Sequence, residues 1–219
     1  MFKISIFKAV LLTFSLASFG ASANAHEIRL ERDGAGPVRI YMGPAEGPHP
    51  DHGKEIDKVK NVKVFMQDQT KTVTLAQKKD HFEAMVKEGG DVRLFSDQIW
   101  LPWKNNDGQM QGAIFQARVG RSEVKSFLDL ELVPVSSDSN IFTVTYKGQP
   151  LADNHVMVVS PDKWQKTFES DSNGRIVIPM TKKGRFILIS HHDVAEKREI
   201  TGQKVEKLTY ISTLSFVAE

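Results

Sequence analysis

The chain has 219 residues, enough for one large or two small domains, and contains no cysteine. The missing thiols exclude a cysteine nucleophile, a Cys-ligated zinc or iron–sulfur site and dithiol redox chemistry. With 29 Lys and Arg against 27 Asp and Glu, the chain lacks the basic stripe that phosphate-backbone binding demands, so no nucleic-acid partner is expected.

Residues 1–25 read as a cleaved signal peptide. Lys3 and Lys8 make a positive start, an uncharged apolar run covers residues 9–20, and Ala23-Asn24-Ala25 supplies the small-x-small cleavage pattern. The run is shorter than the roughly 20 apolar residues a membrane-spanning helix needs, although an uncleaved anchor is the alternative. Export places the mature protein in the periplasm, beginning at His26. Taking Lys3 and Lys8 away leaves 27 cationic and 27 acidic residues, a formally neutral protein.

The mature chain reads as short β runs separated by turn residues. Residues 26–31 and 37–42 alternate polar and apolar, with Val38 and Ile40 on one face and a turn at Asp33-Gly34-Ala35-Gly36 between them. Residues 43–53, rich in Gly, Pro and His, predict a surface loop. Residues 54–61 suit two helical turns with Ile56 and Val59 on one side. Strand patterns follow at residues 62–66, 72–75, 81–86, 92–95, 112–119 and 127–135. The polar run Ser136-Ser137-Asp138-Ser139-Asn140 then breaks the periodicity and marks the best domain boundary. Beyond it, strands are expected at residues 141–146, 155–159, 175–179, 185–190 and 208–217. Phe142, Val144, Val156, Val158, Ile176, Ile178, Phe186 and Leu188 are the predicted core. The expected fold class is all-β, with two β-sandwich-like domains at residues 26–134 and 140–219.

Several of these segments carry a family resemblance. Leu130-Glu131-Leu132-Val133-Pro134, Lys147-Gly148-Gln149-Pro150-Leu151-Ala152, Ser170-Asp171-Ser172-Asn173-Gly174-Arg175 and Gly184-Arg185-Phe186 resemble the DUF4198 family, also described as a NikM-like periplasmic nickel-uptake component. His26-Glu27, Glu31-Arg32-Asp33-Gly34 and Tyr41-Met42-Gly43-Pro44 look like the opening of that family. The G-x-P-L-A and D-x-N-G-R patterns also occur in transthyretin-like and carboxypeptidase-regulatory modules, so they specify a fold better than a function. Gly148 and Gly174 would supply the positive-φ turns that close hairpins of a small sandwich. The resemblance implies an accessory protein of transition-metal uptake.

Histidines carry the candidate chemistry. Cleavage after Ala25 would make His26 the N-terminal residue, offering its α-amine and imidazole as a chelate for nickel, cobalt or copper. One further His would complete an N,N,N arrangement of the histidine-brace kind. His49 and His52 flank Pro50-Asp51 in the loop and could converge on the same ion. His191 and His192 sit at the expected end of an apolar strand, where neighbours face opposite sides and only one can join a common site. His81 and His155 read as structural. No catalytic motif stands out: there is no G-x-S-x-G elbow, H-E-x-x-H pair, P-loop or dinucleotide fingerprint. The function expected is therefore non-catalytic: holding a metal ion for an envelope transporter or TonB-dependent receptor. The alternative is a metal-free sandwich docking to an outer-membrane receptor or a glycan, with Trp100, Trp103 and Trp164 as possible carbohydrate contacts.

Overall fold

Period-two alternation runs through almost every segment, and strands are what it builds. The computed structural model describes residues 26–45 and 56–219. The expected leader, and the loop carrying His49 and His52, lie outside the described residues. In chain order the strands are β1 (Glu27–Glu31), β2 (Val38–Gly43), β3 (Lys63–Phe65), β4 (Leu75–Gln77), β5 (Phe82–Ala84) and β6 (Val92–Ser96). Next come β7 (Trp103–Lys104), β8 (Met110–Val119), β9 (Leu130–Pro134), β10 (Ile141–Tyr146), β11 (Gln149–Pro150) and β12 (His155–Val159). The series closes with β13 (Gln165–Glu169), β14 (Arg175–Val177), β15 (Gly184–Val194), β16 (Arg198–Ile200), β17 (Gln203–Val205) and β18 (Lys207–Ala218). A 3₁₀ helix at Ile56–Asn61 buries Ile56 and Val59, the side expected of it.

The protein is all-β and sandwich-like, as the alternation predicts, and its layers follow from which side each residue faces. A central sheet runs β13-β12-β15-β18-β8-β6-β3, with β7 also on β8. The sheet β1-β2-β5-β4 covers one of its faces, and β11-β10-β14 with β9 covers the other. Along β8, Ala113, Phe115, Ala117 and Val119 join the first core, while Ile114 joins the second. Along β18, Ile211 faces the first core, and Leu208, Tyr210, Leu214 and Phe216 face the second. Strands buried on both faces carry apolar residues on both sides, as β8 and β18 do. All eight predicted core residues of the C-terminal segment lie in the second core.

The polar run at 135–140 turns the chain between antiparallel neighbours β9 and β10, which pair from Phe142↔Pro134 to Tyr146↔Leu130. The central sheet draws strands from both sides of that turn. Its middle is the parallel pair β18–β8, in register from Lys207↔Gln111 to Ser215↔Val119.

Three local expectations shift. The run at 72–75 becomes strand only from Leu75, because Val73 N–H instead donates to Val64 O at 2.8 Å. Strand β15 continues through His191, His192 and Asp193 to Val194, because β18 stays in register with it as far as Val194↔Leu208. Strand β13 was not legible because it is an edge strand with mostly exposed polar residues and no apolar face. The turn glycines behave as expected, with φ of 76° at Gly148 and 71° at Gly174.

Candidate functional site

The face of the central sheet toward the first core is built partly by β1 lying across β18. Thr213 Oγ1 donates to Ile28 O at 2.7 Å, and Ser215 Oγ donates to Leu30 O. Two residues on each strand advance together, so the two strands run in the same direction. Extending that step back by two residues sets His26 level with Ile211. Ile211 is the register partner of His191 on β15. Successive side chains of a strand alternate between faces, so His191 shares its side with Ile189 and Ile187. Those two isoleucines pack with Ala45, Val159 and Met157 in a small satellite cluster. Ala45 is the last described residue before the segment bearing His49 and His52. His26 and His191 therefore share one face of the fold.

His192 points the other way. Its ring meets Tyr146 edge-on at 4.7 Å, beside a group in which Tyr146, Tyr210 and Lys147 all contact the Glu196 carboxylate. Burial raises the proton affinity of the Tyr210 phenol strongly, and the hydrogen bond with Tyr146 adds to it, so Tyr210 stays a neutral donor. The two histidines, adjacent in sequence, are thus separated by the thickness of the sheet.

Both imidazoles are weaker bases than usual. Desolvation lowers the pKa of His192, and the nearby Asp193 carboxylate only partly offsets it. His191 is exposed, yet the protein packed around it also lowers its pKa against the pull of Asp193. A neutral imidazole near pH 7 is the form that coordinates metal ions.

The remaining described histidines have local partners. His81 sits between Asp80 at 2.8 Å and Glu83 at 3.4 Å and lies against Tyr41. His155 is exposed and faces its cross-strand neighbour Glu169. Among the described residues no group of three or more His, Asp or Glu is arranged to hold a metal ion. Trp100 and Trp103 pack against the first core, and Trp164 is exposed.

One charged constellation was not legible in the sequence. Arg93 and Arg118 stand directly opposite each other on β6 and β8, both fully buried. Glu131 of β9 bridges them, taking Arg93 Nε at 2.7 Å and Arg118 Nη1 at 3.0 Å on one oxygen. Its other oxygen accepts the backbone N–H of Phe127 and Leu128. Asp91 accepts from Arg118 Nε at 3.0 Å and from Ser122, while Glu123 takes Arg93 Nη1 at 2.8 Å. Two like charges in cross-strand register repel, and three carboxylates around them remove that repulsion. Each acid has its oxygens committed, so the cluster is structural.

No family model matches the chain, and no curated protein matches it. Among solved structures the chain is similar to the Bacteroides ovatus mixed-linkage glucan utilization locus SGBP-B, in complex with a mixed-linkage heptasaccharide. The likeness has 11% identity over 85% of this chain and a TM-score of 0.18. It spans 46% of the length of that protein.

Proposed function

We propose that the mature protein, beginning at His26, is a non-catalytic exported accessory protein that binds a nickel, cobalt or copper ion for delivery to an envelope transporter or TonB-dependent receptor. The observation that supports this reading is the common face of His26 and His191. A freed N-terminus would offer the His26 α-amine and imidazole, and His191 is the described imidazole on the same side of the sheet. His49 and His52, the further candidates from the sequence, lie outside the described residues. His192 belongs to the opposite side and plays no part.

The test is calorimetry with buffered Cu(II) and Ni(II) at pH 7.5. The protein starting at His26 is compared with one carrying an extra Gly before it, and with His191→Ala and His192→Ala. Losing one nitrogen from the chelate is expected to weaken binding at least about tenfold, roughly 1.4 kcal/mol, in the Gly-extended and His191→Ala proteins. His192→Ala should bind as the parent does. Equal affinity of the native and Gly-extended proteins would defeat the terminal chelate and leave the metal-free docking sandwich as the better reading.

A further inference from the structure

The same face carries a second arrangement at its other end. Arg185 begins the row Arg185, Ile187, Ile189, His191 on β15, so six residues, about 20 Å of strand, separate it from His191. A cleft of about 340 Å³ opens there, lined by Arg29, Glu31, Val159, Lys163, Arg185 and Ile187 among others. Its lining holds three cationic side chains and one carboxylate.

Neither guanidinium is satisfied. Arg29 is 7% exposed; its Nε donates to Glu31 at 3.1 Å and its plane lies over the Tyr41 ring. Arg185 has Nε 3.4 Å from the other oxygen of Glu31, and its Nη2 donates to the Asp33 carboxylate. Nη1 of each arginine is buried and, among the described residues, has no acceptor. A buried donor left unpaired costs about 1–3 kcal/mol, more when it carries charge, and native proteins keep few of them. Glu31 spreads one carboxylate across two guanidinium groups, so it completes neither.

We infer that this cleft is a binding site for an oxyanion, the carboxylate, phosphate or sulfate group of a small molecule, drawn by the incompletely paired guanidinium groups of Arg29 and Arg185 that line it. Guanidinium edges suit such groups because their N–H donors are planar and fixed in direction. Lys163, exposed at the cleft, adds charge without a fixed geometry. The site needs no metal and stands independently of the histidines.

Thermal unfolding and calorimetry of the purified protein test it, using acetate, citrate, phosphate and sulfate against chloride at matched ionic strength. At least one oxyanion should raise the melting temperature and bind with measurable heat. Citrate or acetate as the effective ligand identifies a carboxylate site, and phosphate or sulfate a tetrahedral one. Arg185→Gln should weaken that binding about tenfold. Lys163→Ala alters only an exposed side chain, so it keeps the fold, and it should weaken binding severalfold. His191→Ala should leave oxyanion binding unchanged. Stabilisation by none of the four beyond chloride, or binding unaltered in both Arg185→Gln and Lys163→Ala, overturns the inference.

Discussion

Gly148 and Gly174 share a left-handed backbone but not their surroundings. A Cβ on Gly148 would meet open space, whereas one on Gly174 would come within 2.9 Å of Leu151 N and Val144 O. Those two atoms are hydrogen-bonded to each other at 2.9 Å, and Gly174 O accepts from Val144 N at 2.8 Å. The turn before Gly174 is already held by Asp171, whose carboxylate accepts the N–H of Asn173 and of Arg175. Gly148→Ala should therefore cost only the left-handed strain, about 1–2 kcal/mol. Gly174→Ala should cost distinctly more, because backbone must also move. Urea unfolding of the two variants measures the difference, and equal losses would show that the close approach at Gly174 relaxes freely.

Strands β6 and β8 pair through their backbones, and charge joins β9 of the neighbouring sheet to both. Removing the Glu131 carboxylate would leave Arg93 and Arg118 facing each other in the interior and strip the acceptor from Phe127 N–H and Leu128 N–H. Breaking a buried ion pair from one side costs about 3–5 kcal/mol, since the partner charge stays behind. Glu131→Ala should destabilise by that amount in chemical denaturation. A loss below about 1 kcal/mol would mean that water reaches the arginines. The sequence held only a faint trace of this cluster, in the charged residues that interrupt the apolar pattern of 91–95 and 112–119. Which acids would meet which arginines depends on strands that lie far apart along the chain.

Across the whole molecule, stability should fall in two steps on acidification. His191 and His192 have lowered pKa values, so the folded protein favours their neutral forms. Stability from them is complete above the unfolded value near 6.5 and is lost as pH drops through the lower folded values. Asp91 behaves alike at lower pH. Desolvation would raise its pKa, but Arg118 and the Ser122 hydrogen bonds outweigh that and lower it. Its contribution is present above about pH 3.9 and is lost below that. Denaturation midpoints measured from pH 8 to pH 3 check both steps. Replacing His191 and His192 together with Gln should flatten the upper step and leave the lower one.

Alternation along single segments determined the longer strands, the all-β class and the eight buried residues of the C-terminal core, because burial on one side of a pleated strand imposes period two wherever it occurs, whereas the short or exposed strands β7, β11, β13, β16 and β17 carry too little of it. Ile56 and Val59 similarly disclosed the helical turns at Ile56–Asn61. Pairing partners are a different matter. That β18 returns to lie parallel to β8, so that one sheet serves two cores, is written in neither strand, since each carries apolar residues on both faces and would suit many neighbours. The same holds for the candidate sites. The sequence supplied the histidines and the rule that only one of His191 and His192 could serve. The laying of β1 across β18 chose His191, and it set Arg29 beside Arg185 across 156 positions of chain. Contacts between distant segments are decided by which faces must be covered at once, and that condition exists only in the assembled fold.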